Sequence, residues 1–598
     1  MIKVTDYIAK RLKEYGVKHV FMVTGGGAMH LNDSLGTNFE YICNHHEQAC
    51  AIAAEGYSRV NGELGVVNVT TGPGGLNALN GVMGQWTDSV PALYISGQVK
   101  FETTIYSCPE VTGLRQLGDQ EVDIVSIVKP ITKYAVMITN PEDIRYILEK
   151  AIHLATTGRP GPVWIDVPLN VQGALVDETK LKGYTPEPED IKKRDAVLDA
   201  QIKTLIEKLK TAERPVLYVG NGIRISKAIE PLFQFAEKLN IPIVTAISGH
   251  DLVPFDHPLL YGKPGICGDR IGNVMVENSD LLMVIGTRLS IRQIGFNFTT
   301  FAKYAYKVMV DVDWAELNKP TLKMDLKINS DIKLFFDHLL PAIQNEKFSP
   351  YTKWINWAND RKKQLPTILQ DNPVTNNNYA NSYIFADELF KQLNKGAVAL
   401  TGNGTAYTST YQVMKVKDGV RVIANQGCAS MGYDLPAGVG ACVANDKKPV
   451  VVITGDGSLQ MNIQELQTIQ TYKLPIKLFV LENQGYVSIR NTQTAYFNKR
   501  YIGSSPEGGV ICPDLEKIAY AYGLPFKRVS TNTDLKQTIA EVLAMDGPVV
   551  CEVVIDPAQT LYPKASSKMN AEGKMESMPL DVMFPFLSDE EQALCRWK

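Results

Sequence analysis

Two side chains with oxygen donors, Asp456 and Asn483, stand 27 positions apart, each directly after a β-branched run, in VVVITGDG and IKLFVLEN. Runs of that kind read as strands, so both residues fall at strand carboxyl ends, where open parallel α/β sheets form their ligand crevice. A carboxylate and an amide oxygen converging there are hard ligands, suited with phosphate oxygens and water to the octahedron of Mg²⁺. Gly455 and Gly457, on either side of Asp456, let the main chain approach a diphosphate, and Ser458 opens a helical stretch whose N–H end favours an anion. ALTGNGTAYTS offers a second such place, with Gly402, Asn403, Gly404 and Thr405 after another strand. A Gly-Asp-Gly alone is ordinary turn chemistry; its spacing to Asn483, with a strand at both ends, is what gives it weight.

A different acid, Glu47, begins an Ala-rich helical stretch in NHHEQACAIAAEGYSRV, where the helix dipole favours a carboxylate. His45 and His46 precede it with no second pair at helical i, i+4 spacing, and read as structural or supporting residues. Further along, VGNG places Gly220 and Gly222 after a strand, IGTRLSIRQIG carries Arg288 and Arg292, and Asp311 closes VMVD. Glycines after a strand plus a late acid hold a dinucleotide in some proteins and are plain turn chemistry in many. Arg292 reads either as a contact to a cofactor or a substrate anion, or as a solvated surface arginine.

Positioning these groups requires strands alternating with amphipathic helices, which implies parallel sheets. The runs fall into three sets, and the fold expected is α/β, with three consecutive doubly wound parallel-sheet domains over 1–180, 190–345 and 375–562. Three sheets of one type could be distant copies of one design. Polar stretches at 176–193 and 345–382 read as linkers, and a Lys-, Ser-, Met- and Pro-rich tail of weak periodicity fills 563–598. At the amino end, Thr5 precedes the pattern Ile8, Leu12, Tyr15, while Lys10, Arg11 and Lys13 interrupt any signal-peptide core, so a first helix is expected there.

Composition narrows the function. The 598 residues carry 61 basic and 64 acidic side chains, a formal charge of −3, so no whole-chain positive field attracts nucleic acid. No apolar run approaches the roughly 20 residues of a membrane span, and a cytoplasmic protein is expected. Nine scattered cysteines without a CxxC pair suit a reducing compartment and burial.

Gly-Asp-Gly followed by Asn-Gln at this spacing resembles the thiamine diphosphate signature, and NHHEQACAIAAEGYSRV with VTTGPGGLNALNG resembles the pyrimidine-binding domain of the acetolactate synthase group. GRPGPVWIDVPLNVQ also follows the pattern, so the resemblance spans most of the chain. It implies pyrimidine-binding, central and diphosphate-binding domains in that order. Thiamine diphosphate and Mg²⁺ are the implied cofactors, with Asp456, Asn483 and the carbonyl of Gly485 on the metal. It also implies that the Ala429 carbonyl accepts from the aminopyrimidine, that Met431 wedges between the cofactor rings, and that Glu47 bonds the pyrimidine and so activates the thiazolium carbon. Pro73 and Asn77 fall in the pyrimidine pocket, and Gln120 and Lys133 match polar positions near substrate. FAD is implied for the central domain, with Arg288 beside it and Asp311 near its adenosine part. Active sites shared between subunits of a homodimer or homotetramer follow as well.

Three departures stand out. Glu482 replaces the first of two asparagines; Leu289, Ser290 and Ile291 replace the acid pair between Arg288 and Arg292; and Thr492 stands where an acceptor-selecting tryptophan belongs. The SIRNTQTAYF stretch and the tail are similar to carboligases of surface-polysaccharide pathways, which add an acetyl unit from pyruvate to a keto-sugar nucleotide. The expected activity is decarboxylation of a 2-keto acid, pyruvate, with transfer of the acyl unit to a keto acid or keto-sugar nucleotide. The alternatives are a non-ligating decarboxylase, a flavin-linked pyruvate oxidase, and a cofactor-binding assembly subunit without activity.

Overall fold

Each set of β-branched runs forms one six-stranded sheet in the computed structural model, which describes residues 1–188, 191–569 and 572–597. The first sheet comprises His19–Met22, Glu40–Cys43, Gly65–Val69, Ala92–Gln98, Tyr134–Met137 and Pro162–Pro168. The middle sheet comprises Pro215–Val219, Ile243–Thr245, Leu260–Gly262, Leu281–Ile285, Tyr306–Asp311 and Leu326–Asn329; the third, Val398–Thr401, Arg421–Ile423, Val450–Gly455, Ile476–Glu482, Phe526–Val529 and Val549–Val554. All pairings within the three sheets are parallel, so each strand is covered on both faces and reads as a continuous apolar run.

Strand order separates the three. Numbered along the chain, the first and third sheets both run 2-1-3-4-6-5, whereas the middle sheet runs 3-2-1-4-5-6. A single design therefore describes the outer pair and not the middle sheet. In the third sheet the order reverses between Val398–Thr401 and Val450–Gly455, which pair directly, and in the middle sheet between Pro215–Val219 and Leu281–Ile285. Ligand crevices of open α/β sheets form at such reversals.

The outer domains share one core, in which the helix Glu47–Asn61 lies across the helix Asp434–Ala444. Contact is backbone to backbone. A Cβ on Gly440 would lie 1.7 Å from the Ala53 carbonyl oxygen, and one on Gly56 2.1 Å from that of Ala437.

Two local expectations are corrected. Thr5 does not cap the first helix, which runs Val4–Glu14 after the cap Lys3; pairing of Ile2–Lys3 with Leu175–Val176 fixes the start, and Thr5 is buried, accepting from Ser34 Oγ at 2.8 Å. The stretch 345–382 is not a bare linker: it contains the helix Thr352–Gln364, which buries Trp354 and Ala358 in the middle core. The tail is folded, with strands Lys564–Ala565, Ser567–Met569, Met575–Ser577 and Met583–Phe584 and a helix Asp589–Leu594. It docks on the middle domain, where Leu580 enters the core and Trp597 meets Trp354 and Trp357 edge-on, each at 5.6 Å. Among the described residues, no helix is long and apolar enough to cross a membrane.

The helix crossing makes a prediction. Gly440→Ala forces a methyl into a main-chain carbonyl that cannot move aside, and is expected to cost about 1–3 kcal/mol. Gly36→Ala, in the helix Met29–Asn38, meets nothing closer than 3.7 Å and is expected to be neutral or stabilising. Thermal unfolding of the two variants beside the native protein checks this; equal midpoints for Gly440→Ala and the native protein would refute the close crossing.

Candidate active site

Asp456 and Asn483 follow the adjacent strands Val450–Gly455 and Ile476–Glu482. The Asp456 carboxylate accepts from the Gly457 N–H at 2.8 Å on Oδ1, and from those of Asn483 and Gly485 at 3.2 and 2.9 Å on Oδ2. Burial pushes its pKa up, and these three N–H groups oppose the shift. Beside it, Asn483 Oδ1 is buried without a hydrogen-bond partner, while Nδ2 lies 3.5 Å from Thr405 Oγ1. A buried oxygen left unpaired is costly. Next to a buried carboxylate, at a sheet reversal, it fits a hard divalent cation. Gly485, at φ +108°, turns the chain back toward the carboxylate.

Glycines in the surrounding loops let neighbouring side chains pack against the main chain. A Cβ on Gly457 would lie 2.3 Å from the Tyr486 ring, and one on Gly402 1.5 Å from Asp434 Oδ1; Gly404 sits at φ +58°. Ser458 Oγ donates to Asp434 Oδ2 at 3.3 Å and accepts from the Gly432 N–H at 2.9 Å. Asn403, Gly404 and Thr405, Gly455 to Ser458, Asn483, Gly485, Ala429 and Met431 all line one pocket, with Gly402 just behind it. The Ala429 carbonyl accepts from Asn403 Nδ2 at 3.3 Å.

Two supporting residues were not singled out from sequence. Asp434 lies beneath Gly402 and Ser458, and burial pushes its carboxyl up to about 6. Arg490 clamps the Asn483 loop, donating to the carbonyls of Asn483 (2.5 Å), Gln484 (2.7 Å) and Ser504 (2.8 Å). Only its place within SIRNTQTAYF hinted at it.

The first domain brings together a separate group. His46 caps the helix Glu47–Asn61 by accepting from the Gln48 N–H, and Glu47 Oε2 accepts from Asn77 Nδ2 at 3.0 Å. Pro73 starts the short helix that ends at Asn77; before it, Gly72 at φ +59° lies so close to the Gln120 carbonyl that a Cβ would meet it at 2.1 Å. Lys133 is not part of this group. It precedes the strand Tyr134–Met137, at the amino end of the sheet, and donates to the Thr157 carbonyl at 2.8 Å, while Glu47 lies at the carboxyl end.

A second cavity opens at the reversal of the middle sheet and reaches all three domains. Gly222, Arg288, Arg292 and Asp311 line it. Gly220 is behind the wall: its Cβ would lie 2.5 Å from that of Thr287, so it serves strand packing. Leu289, one of the three residues between Arg288 and Arg292, is buried in the middle core at φ +48°. Asp311 accepts from the Asp313 N–H at 2.8 Å, and burial pushes it up to about 6. Arg292 lines both cavities and donates to Gln426 Oε1 at 2.8 Å.

Comparison with known proteins agrees with this arrangement. Profiles of the thiamine pyrophosphate enzymes match in chain order: the N-terminal TPP binding domain over 2–127, the central domain over 202–339 and the C-terminal TPP binding domain over 402–553. A probable acetolactate synthase large subunit of Methanocaldococcus jannaschii is 32% identical over 579 residues, 94% of this chain and 93% of its own. The acetolactate synthase large subunit of Lactococcus lactis is 30% identical over 95% of each chain. The chain belongs to the acetolactate synthase-like thiamine pyrophosphate enzymes. A chloroplastic acetolactate synthase of Arabidopsis thaliana, 30% identical over 94% of this chain and 83% of its own, extends the likeness to plants.

In this thiamine pyrophosphate enzyme, the Glu47 segment rests on a buried network. Asp166 accepts from Ser96 Oγ at 2.6 Å and Gln98 Nε2 at 3.0 Å; Gln98 Oε1 in turn accepts from Thr71 Oγ1 at 2.7 Å, just before Gly72. Burial pushes the Asp166 carboxyl up to about 7, against those hydrogen bonds. An unfolded aspartate titrates near 3.9, so the folded state binds the extra proton between about pH 4 and 7, and stability falls as pH rises through that window. Asp166→Asn is expected to flatten this part of the stability profile, read as thermal midpoint against pH; an unchanged slope would show that Asp166 is not the proton carrier.

Proposed function

We propose that the protein is a thiamine diphosphate- and Mg²⁺-dependent carboligase that decarboxylates a 2-keto acid, pyruvate, and transfers the acyl unit to a keto acid or keto-sugar nucleotide. The observation carrying this reading is the unpartnered Asn483 oxygen beside the Asp456 carboxylate, at the ends of two adjacent strands of the third sheet. Asp456, Asn483 and the Gly485 carbonyl hold the metal. The main chain of Gly402 to Thr405 and of Gly455 to Ser458 receives the diphosphate, and Met431 supports the rings. Bound there, thiamine diphosphate supplies the electron sink for decarboxylation.

Glu47 holds the proton shared with the aminopyrimidine, and Asn77 keeps its carboxylate oriented. Gln120 faces the substrate from the same segment. On this reading Glu47 comes from a second copy of the chain. No residue of the first domain is among those lining the Asp456 pocket. Exposed apolar side chains surround both halves: Ile489, Tyr496 and Phe497 at the pocket, and Leu76, Met83 and Trp86 beside the Pro73–Asn77 turn. A homodimer, or a tetramer built from it, covers both.

On the helix Val487–Tyr496, the small side chains Ser488, Thr492 and Ala495 line the pocket together with Val487, Ile489, Asn491 and Tyr496. FAD belongs in the central cavity beside Arg288 and Arg292, and flavin absorbance of the purified protein tests that assignment.

A proton NMR time course with pyruvate, thiamine diphosphate and Mg²⁺ tests the whole reading. The native protein is expected to form acetolactate, or acetaldehyde where its acceptor is missing. Glu47→Gln is expected to be slower by about 10²–10⁴-fold. Mixing Glu47→Gln with Asp456→Asn, each inactive alone, should restore part of the turnover if sites form between copies. Untouched pyruvate with the native protein removes pyruvate as donor, and a mixture as inactive as its parts removes the shared site.

A further inference from the structure

The helix Gly404–Val413 presents its amino end to the Asp456 pocket, where Asn403, Gly404 and Thr405 form part of the lining. Asn403 holds the N-cap position, but its side chain does not cap; it reaches across to the Ala429 carbonyl instead. The first N–H groups of the helix are left to the pocket, which suits them to an anion. At the other end no left-handed glycine closes the last turn. Met414 follows at φ −56° and ψ 132°, and its N–H returns to the Thr410 carbonyl. The carbonyls of Tyr411 and Gln412 need other partners.

Lys263 supplies them. It belongs to the middle domain, directly after the strand Leu260–Gly262, and its ammonium donates to the carbonyls of Tyr411 at 2.6 Å, Gln412 at 3.1 Å and Met414 at 3.4 Å. A cation at this end also meets the negative pole of the helix. The backbone that carries it is anchored. The Lys263 N–H donates to Asp269 Oδ2 at 3.0 Å, the Asp269 N–H donates to the Lys263 carbonyl at 3.0 Å, and Asp269 Oδ1 accepts from the Gly272 N–H at 2.7 Å. The same loop reaches two other parts of the pocket wall: the Ile266 N–H donates to the Arg292 carbonyl at 2.8 Å, and the Ile266 carbonyl accepts from the Ala565 N–H at 2.7 Å.

Burial pushes the Lys263 ammonium down to about 8; Asp269 opposes that shift and Lys415 adds to it. The Tyr411 ring lies with its centroid 5.5 Å from the ammonium, and His250, which burial pushes down to about 4, also feels its charge. Lys362, on the helix Thr352–Gln364, acts on Asp269. Charge on Lys263 is therefore opposed by its surroundings and offset by the carbonyl end of the helix. The helix has ten residues, a rod of about 15 Å, so a grip at one end sets where the N–H groups stand at the other.

We propose that Lys263 is a positioning residue for the diphosphate: held by the middle domain, its ammonium fixes the carboxyl end of the helix Gly404–Val413 and so aims the N–H groups of Gly404 and Thr405 at the anion. This rests on the thiamine diphosphate reading above and adds the residue that orients one side of its anion site. The middle domain then takes part in holding the cofactor without touching it.

The test titrates thiamine diphosphate, with Mg²⁺ in excess, by calorimetry into the full-length native protein, Lys263→Met, Lys263→Gln and Lys477→Met. Lys477 is the control: its buried ammonium bonds the carbonyls of Met545 and Gly547, at the amino end of the strand Ile476–Glu482 and away from Asn483. At neutral pH, Lys263→Met is expected to weaken thiamine diphosphate by about three- to tenfold, the range of a part-buried cation at a helix end. Lys263→Gln, which keeps a donor for the carbonyls, recovers part of that loss. Lys477→Met lowers the thermal midpoint and leaves the affinity unchanged. The ammonium is charged below about pH 8 and neutral above it, so native affinity falls as pH rises through that value, and this fall is absent from Lys263→Met. Equal affinities in native protein and Lys263→Met, a loss as large in Lys477→Met, or the same pH dependence with and without Lys263 overturns the proposal. A native protein that binds no thiamine diphosphate overturns the cofactor reading itself, and the proposal with it.

Discussion

Two helices approach to backbone contact only where one of the residues that meet lacks a Cβ, and the crossing of Glu47–Asn61 with Asp434–Ala444 meets that condition at Gly56 against Ala437 and at Gly440 against Ala53. One helix starts at Glu47 and the other at Asp434, so a single contact sets both the acid of the first domain and the support beneath Gly402 and Ser458. Buried charge then locks the rotation. Glu55 accepts from Arg59 at 2.8 Å, from Asn425 at 2.9 Å and from Tyr433 at 3.0 Å; Arg59 reaches Asp88 at 2.7 Å, and Asp88 accepts from the Gly427 N–H at 3.1 Å. The middle domain joins through Asp251, which pairs with Arg421 of the third domain and with Arg224 at 3.0 Å. Burial alone would raise Asp251, but the two guanidinium groups outweigh it and hold the carboxyl well below the usual range. Such pairs add little net stability after desolvation; what they fix is geometry.

With the domains so fixed, both cavities follow from strand order. Each lies where two neighbouring parallel strands send their connections to opposite faces. The glycines at the two reversals nevertheless serve different ends. Gly220 and Gly222 are pressed against Thr287 and Gly286, so their missing side chains let two strand ends interlock. Gly404 and Gly485 sit at positive φ and aim the chain into a pocket. The same residue type after the same kind of strand is packing in one sheet and ligand geometry in the other, which is why VGNG is weak evidence in the sequence and the Asp456 to Asn483 spacing is strong.

Much of the fold was legible because parallel strands buried on both faces must be apolar without alternation, and the loops between them must break that pattern. The candidate metal and diphosphate residues could be placed for a related reason: they stand at strand ends, which spacing records. What spacing does not record is contact between distant segments. Asp434 under Gly402, Arg490 across the Asn483 loop, and Trp354 buried from within a polar stretch are defined by partners elsewhere in the chain. The tail lacked periodicity for the same reason, since Leu580 packs at Gly295, and Arg270 holds the carbonyls of Met583 and Pro585. Lys133 misled because its place in a sequence pattern says nothing about which end of the strand it stands on.

The pocket is built in two mechanically different parts. Its floor is the third sheet, where Asp456 is held by three N–H groups and the Asn483 loop by the three carbonyl contacts of Arg490. Its outer wall is the helix Val487–Tyr496 together with the tail at Leu561 to Ser566 and Phe584. Moving a floor residue disturbs a closed hydrogen-bond network, whereas a wall residue such as Thr492 is exposed and bonds only to the Ser488 carbonyl one helical turn back. Substitution on the wall therefore leaves the Asp456 and Asn483 floor intact. A change of acceptor falls most readily on those elements, which include Thr492, the position where the resemblance implies an acceptor-selecting tryptophan.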